Sequence, residues 1–242
     1  MLLFEAQKYL EVVRKRGEAH AELRRVYYNI ATNKEVFLKA YANLYANAGA
    51  MTPGIIPDDT VDGMSVTRIE SIMEQLKTRT YQWTPVRRTY IEKNPSSTKR
   101  RPLGMPGFTD KLLEEVIRMI LEAYYEPQFR ESSHGFRPKR GCHTVLDTIT
   151  RWKGTRWFIE GDIKGCFDNL DHKLILRLLR RRMKDHSFLN LIGDMLNAGY
   201  LEDWVVHRTY SGTPQGGIAS PILANMVLNE LEAFIEDELI PQ

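Results

Sequence analysis

The sequence predicts an α+β fold: a helical N-terminal region, then a small β-element, then a strand-turn-helix unit. Three stretches carry that prediction. Apolar residues recur at helical spacing over the first 47 residues. Two β-type runs flank a polar turn between Pro85 and Pro106. A run of aromatic and β-branched residues, Trp157-Phe158-Ile159-Glu160-Gly161-Asp162-Ile163, ends at Lys164-Gly165 and leads into Cys166-Phe167-Asp168.

Residues 1–47 read as helical throughout. Leu23, Val26, Tyr27 and Ile30 form an i, i+3, i+4, i+7 stripe. Thr32 with Glu35 reads as a capping box that starts a new helix, with Val36, Phe37, Ala40, Tyr41, Leu44 and Tyr45 on one face. Arg24, Arg25, Tyr27 and Tyr28 suit contact with RNA, although an aromatic stripe on a helix is more often core. Residues 48–63 read as a loop, holding Gly49, Pro53, Gly54, Pro57 and Asp62-Gly63. A helix follows over Ser65–Thr78 with Ile69, Ile72, Met73 and Leu76 inward.

The segment from Pro85 to Pro106 reads as a hairpin turning over Asn94–Thr98. Alternation places Arg87, Thr89, Ile91 and Lys93 on one side. Such a face suits a triphosphate or a nucleic-acid backbone, through bidentate arginine and point-charge lysine. It equally suits an exposed hairpin whose charges discourage edge pairing. Asp110 opens the next helix, with Leu112, Leu113, Val116, Ile117, Ile120 and Leu121 as its apolar face. The loop Ser133–Gly141 offers Arg137, Lys139 and Arg140 to phosphates, and a helix follows over Cys142–Lys153.

The run from Trp157 to Ile163 reads as a strand, with Glu160 and Asp162 on one face and Trp157, Ile159 and Ile163 on the other. A carboxylate near the end of a strand is rigidly aimed, as a ligand of a hard divalent cation must be. A solvated edge strand fits the same residues. Asp171 caps a helix that turns Leu174, Ile175, Leu178, Leu179 and Met183 inward and Arg177, Arg180, Arg181 and Lys184 outward. Helical Ser187–Ala198 and a strand over Trp204–Arg208 come next. Last, Ser211-Gly212-Thr213-Pro214-Gln215-Gly216-Gly217 leads into a helix over Ile222–Leu239. Its glycines let backbone approach a ligand closely, and Gln215 carries both a donor and acceptors.

Composition narrows the classes. The hydrophobic fraction of 43% and charged fraction of 27% are those of an ordinary globular protein. Net charge is only +3, but Arg87–Arg101 holds six basic residues against one acid, and Arg177–Lys184 holds five against none. Local clusters of one sign act as electrostatic footprints even near overall neutrality, or are simply solvated faces. The C-terminal stretch is acidic, with Glu230, Glu232, Glu236, Asp237 and Glu238. Cys142 and Cys166 form neither a disulfide framework nor a zinc pattern and suit a reducing compartment. The apolar run Leu2-Leu3-Phe4 is too short for a signal peptide, and no run approaches transmembrane length; the cytoplasm or an organelle is expected.

Four features stand in one order: a basic hairpin, a Gly-Phe-Arg-Pro loop, an Asp-x4-Phe-Asp segment and a Thr-Pro-Gln-Gly-Gly loop before a helix. This order resembles the group II intron-encoded reverse transcriptases, or maturases, over nearly the whole chain. The resemblance implies a right-hand polymerase-like fold: a helical extension over 1–50, fingers over 51–155 and an incomplete palm over 156–242. It implies an RNA-directed DNA polymerase that uses Mg²⁺ and dNTP on an RNA template with a DNA primer, and that binds intron RNA to assist splicing and mobility.

By that resemblance Asp162 is the first catalytic metal-binding aspartate, and Ile163 lends a backbone oxygen to the metal. Phe167 blocks a ribose 2′-OH. Arg87, Lys93 and Arg101 embrace the triphosphate, and Gln215 and Gly216 lie beneath the nucleotide and template base. Arg24, Arg25, Arg137, Lys139, Arg140 and Arg181 are the candidates for holding RNA.

Two departures stand out. Glu92 replaces a common proline. The family's aromatic-x-Asp-Asp turn, which supplies the other carboxylates, is absent from the 242 residues, so a fragment, inactive alone, is expected. Its presence after Gln242 would support a polymerase, and its loss a splicing-only maturase. A related reverse transcriptase outside introns is a further alternative. Nothing in the residues fixes an oligomeric state.

Overall fold

The N-terminal periodicity yields three helices rather than one run: α1 (Leu2–Glu18), α2 (Val26–Thr32) and α3 (Lys34–Tyr45). The break has a tertiary cause. Leu23 pairs in a short parallel bridge with Met183, its N–H donating to Arg182 O at 2.8 Å while Lys184 N–H donates to Leu23 O at 2.7 Å. Those bonds draw residues 19–25 out of helical geometry, with Arg25 left-handed at φ 59°. The cap of α3 is also one residue from its expected place: Asn33, not Thr32, accepts from Glu35 N–H at 3.1 Å. The computed structural model describes residues 2–47, 49–92, 100–213 and 216–240.

The loop at 49–63 closes on a 3₁₀ turn over Val61–Gly63, and α4 (Val66–Thr78) follows with Ser65 as its N-cap. The expected inward residues Ile69, Ile72, Met73 and Leu76 are buried. Strands β1 (Val86–Glu92) and β2 (Arg100–Met105) form the hairpin, antiparallel from Arg87 opposite Met105 to Glu92 opposite Arg100. The expected turn and Lys93 lie outside the described residues.

Helix α5 (Phe108–Tyr125) starts two residues before Asp110 and is buried on almost every side. A helix buried around most of its circumference lies at the centre of a core, and α1, α3 and α10 (Ser220–Phe234) pack on this one. Between them lie α6 (Cys142–Thr150), the short α7 (Cys166–Asn169), α8 (His172–Arg182) and α9 (His186–Asn197). Asp171 caps α8 as expected, accepting from Leu174 N–H at 2.7 Å. The last helix begins earlier than expected and continues past Phe234 as a π-helical turn over Ile235–Leu239.

Two further strands, β3 (Tyr200–Glu202) and β4 (Val205–His207), complete a four-stranded sheet of order β2-β1-β3-β4. β1 runs parallel to β3, with Val86 opposite Tyr200, and β3 runs antiparallel to β4. The three-residue β3 escaped the sequence pattern because pairing with β1, not local alternation, makes it a strand.

The expected strand over 157–163 is not formed. That segment is irregular and solvent-facing, with Trp157 87% and Ile159 93% exposed. β-propensity measures fit to a pleated, half-buried surface, and no described strand lies alongside to supply one. Asp162 is therefore held by an exposed loop.

One hydrophobic cluster runs from Ala6 through α5 to Met226, with Phe37, Phe108, Ile117 and Tyr124 fully enclosed. Phe37→Ala in α3 should cost about 3–5 kcal/mol, read as a lower urea midpoint; an unchanged midpoint would mean that α3 does not pack on α5 as described.

Candidate active site

The root of the hairpin is fixed by a buried acid. The Asp110 carboxylate accepts from Tyr81 Oη–H at 2.6 Å and from Thr84 N–H at 3.1 Å, and also bonds the Thr84 hydroxyl. Burial pushes the Asp110 carboxyl above its ordinary range, while the Thr84 and Tyr81 hydrogen bonds pull it back down. From that root, β1 presents its alternating faces. Arg87, Thr89 and Ile91 share a side with their partners Met105, Leu103 and Arg101. Arg87 and Arg101 are both exposed, and Arg87 donates to Pro53 O at 3.0 Å. On the other side Arg88 lies over the Tyr200 ring, 3.3 Å from its centroid, and pairs with Glu202 at 3.7 Å.

The Asp-x4-Phe-Asp segment and the glycine loop meet through backbone. Thr213 N–H donates to Phe167 O at 2.7 Å and Gly212 N–H to Leu170 O at 2.7 Å. His172 Nε2–H donates to Gly212 O at 2.7 Å. Gly212, at φ 87°, sits so close to Asp168 that a Cβ would stand 2.7 Å from its carbonyl oxygen. Gly216, at φ 108°, packs against the hairpin, and a Cβ there would stand 2.3 Å from Gly104 O and 3.0 Å from Leu103 Cδ1. Both positions need glycine for conformation and for space.

The loop is anchored from beneath. Glu114, buried in α5, accepts at Oε2 from Ile218 N–H at 2.5 Å and Ala219 N–H at 3.3 Å. Burial, then the neighbouring Asp110, lifts its carboxyl to about 7, against the pull of the two amides and Lys111. An open cavity of about 450 Å³ lies on the Arg88 side of the hairpin, lined by Arg88, Gly104, Asp168, Tyr210, Ser211 and Gly212 among others.

The expected site residues fall into three groups. Arg87 and Arg101 lie on one face of the hairpin and Gly216 packs on β2 against Gly104 and Leu103, while Lys93 and Gln215 lie outside the described residues. Phe167 is partly buried against the core, and its ring meets Phe136 edge-on at 6.0 Å. Asp162 and Ile163 occupy the exposed loop before α7, and Ile163 is 49% exposed. Burial, and secondarily the Asp162 charge, raises the Cys166 thiol.

The basic candidates differ among themselves. Arg137 is built into the fold instead of facing solvent. It is 7% exposed, its guanidinium bonds Glu126 at 2.9 Å, and it donates to Arg130 O at 2.6 Å and Ser133 O at 2.7 Å. Arg140 pairs with Glu131 at 2.7 Å and Arg181 with Glu230 at 2.6 Å. Lys139 is exposed at φ 61°. Arg24 pairs with Glu22 at 3.0 Å, and Arg25 lies over the exposed Tyr28 ring, 4.7 Å from its centroid.

Among the described residues no three His, Cys, Asp or Glu side chains cluster as a metal site. The Asp162 carboxylate and Ile163 carbonyl are nonetheless hard oxygen donors. That set suits a divalent ion that takes one or two carboxylates and completes its shell with water and substrate phosphate. Sequence reading missed Asp110 and Glu114 as anchors. The available signal was two acids one helical turn apart among the core positions of an apolar helix.

A family model described as "Reverse transcriptase (RNA-dependent DNA polymerase)" matches residues 91–240. The chain belongs to the reverse transcriptase family. Among individual proteins it is similar to the "Group II intron-encoded protein LtrA" of Lactococcus lactis subsp. cremoris. The two are 54% identical over 209 residues, covering 86% of this chain and 35% of that protein. An "Uncharacterized 91 kDa protein in cob intron" of Schizosaccharomyces pombe is 45% identical over 232 residues, 94% of this chain and 28% of that one. A solved "Partial Cas6-RT-Cas1--Cas2 complex" shares the fold at a TM-score of 0.51 and 20% identity, over 84% of this chain and 34% of that one. The α+β architecture is that of partial reverse transcriptase fingers and palm. The chain spans 35% and 28% of the lengths of these two curated relatives.

Arg137→Ala strands Glu126 and frees two carbonyls, and should lower stability by ~2 kcal/mol or more. RNA affinity measured below the unfolding transition should stay unchanged. A variant of native stability with weakened RNA binding would return Arg137 to the phosphate-contacting set.

Proposed function

We propose that this chain is the fingers and part of the palm of an RNA-directed DNA polymerase encoded by a group II intron. In that reading residues 1–50 form a helical extension, 51–155 the fingers and 156–242 the palm. The observation that carries it is the seating of Gly216 on β2 beside Leu103, on the hairpin face shared by Arg87 and Arg101. A basic strand pair and a glycine loop then form one wall, suited to a nucleoside triphosphate.

The reaction is attack of a primer 3′-OH on the α-phosphate of a dNTP, releasing pyrophosphate. Arg87, Lys93 and Arg101 offset triphosphate charge by charge-assisted hydrogen bonds. Gln215 and Gly216 support the nucleotide and template base, and Phe167 excludes a 2′-OH by occupying its space. Asp162 and the Ile163 carbonyl would hold a divalent ion, Mg²⁺ by its preference for hard oxygens. Bound, that ion supplies charge stabilisation at the reacting phosphate. The loop before α7 is what aims Asp162.

Binding of intron RNA is the second role proposed. A hollow lined by Arg24, Arg25, Tyr28, Lys77, Arg79 and Lys184 combines positive charge with an exposed ring. Phosphate neutralisation by such residues gives a steep salt dependence. A splicing-only maturase would keep this surface and lose polymerisation.

Asp162→Asn, placed in a polypeptide that also carries the aromatic-x-Asp-Asp carboxylates, should cut cDNA synthesis at least about a hundredfold and leave RNA affinity intact. Undiminished synthesis would remove Asp162 from the chemistry. The 242 residues contain no aromatic-x-Asp-Asp, so this polypeptide alone is expected not to extend a primer on an RNA template; extension above a no-enzyme control would contradict the assignment.

A further inference from the structure

We propose that Glu114 is a positioning residue for the nucleotide-facing loop, holding the Ile218 and Ala219 amides so that Gly216 stays seated on β2. This rests on the polymerase reading above, because the loop matters only if a nucleotide meets it.

The geometry leaves little slack. Gly216 is already so close to Gly104 that no Cβ fits between them. Two residues on, Ile218 N–H reaches Glu114 Oε2 at 2.5 Å, and Ala219 N–H reaches the same oxygen at 3.3 Å. Helix α10 begins at the next residue, Ser220, and its N-cap Ala219 offers no side-chain acceptor. The first amides of a helix need partners from outside it; Glu114 supplies one from α5. The loop is thus clamped between a strand above and a rigid helix below, and the carboxylate sets its height. A carboxylate that held the loop only for stability would have no reason to track nucleotide binding, and this difference is testable.

Charge state adds a second signature. The charged and titratable groups facing Glu114 are Asp110 and Lys111 on its own helix and Tyr81 from the segment before β1. From the α10 side it meets the two amides. Burial places its titration at about 7. As pH rises through that value the carboxyl ionises and its amide bonds become charge-assisted, so the grip tightens. Global stability moves the other way. The folded carboxyl holds its proton to a higher pH than the unfolded one, so its contribution is fully present below the unfolded value and lost as pH rises through about 7.

Glu114→Gln keeps an acceptor and removes the titration, while Glu114→Leu removes the acceptor and keeps the bulk. In the 242-residue protein, hydrogen-exchange protection of the Ile218 and Ala219 amides should fall about tenfold in Glu114→Leu and be retained in Glu114→Gln. Wild-type protection should change with pH through neutrality, and that of Glu114→Gln should stay flat. In a polymerase-competent polypeptide containing these residues, KM for dNTP should rise in Glu114→Leu with primer-template affinity unchanged, and Glu114→Gln should restore it. Unchanged protection in Glu114→Leu, or a raised kcat barrier with KM untouched, overturns the proposal. If Glu114→Leu does not fold, Glu114→Gln decides: a pH profile of protection superimposable on wild type overturns it. Absence of primer extension by the longer wild-type polypeptide, the one that also carries the aromatic-x-Asp-Asp carboxylates, would strike the polymerase reading, and the exchange data on the 242 residues would still decide whether Glu114 holds the loop.

Discussion

A backbone amide that leaves a helix or strand inside a protein must find an acceptor, and around α5 that acceptor is repeatedly a carboxylate. Asp59 accepts from the amide and hydroxyl of Thr109 at the start of α5 while also pairing with Arg68 at 2.6 Å. Asp110 takes the Thr84 amide just before β1. Glu114, one turn further along, takes two amides just before α10. Three segments far apart in sequence are thereby registered to one rigid, buried helix. Lys111 ties the loop of Asp59 a second time, donating to the carbonyls of Gly49 at 3.1 Å and Thr52 at 2.7 Å. Burying these ions is costly, as the raised Asp110 and Glu114 carboxyls and the lowered Lys111 ammonium indicate. What the arrangement gains is fixed spacing between the hairpin, the 49–59 loop and the glycine loop.

That scaffold separates two kinds of positive charge. Arg137 and Lys111 turn inward and stitch loops to the core. Arg87, Arg101, Arg24 and Arg25 remain exposed at the surface. Net charge says little about nucleic acid in such a chain; the division of labour among arginines says more.

Much of the fold could be read from residue order because its signals are local. Asp171 caps the helix it was expected to cap, the apolar positions expected to face inward on α4 and α5 are buried, and the hairpin pairs as its alternation requires. What could not be read depends on distant partners. Residues 19–25 leave the helix because Leu23 pairs with Met183. Tyr200–Glu202 is a strand because β1 lies beside it. Trp157–Ile163 has strand-forming residues and no described neighbour to pair with. At the candidate site, Arg87, Arg101 and Gly216 were named by resemblance and motif order, but the same reasoning could not tell that Arg137 is interior. It also passed over Glu114, whose importance lies in two amides more than a hundred positions away.

The parallel pairing of β1 with β3 has a consequence for assembly. Residue 86 must wait for residue 200 before the central sheet can close, and loops of that length make pairing slow. On a ribosome adding about 5–20 residues per second, the delay is on the order of 6–20 s. During it the hairpin has an unpaired edge, open to any other extended chain. Arg87 and Arg88 on that strand resist pairing with a second copy of the same hairpin by like-charge repulsion, so charges at the surface of the folded sheet also guard the nascent one.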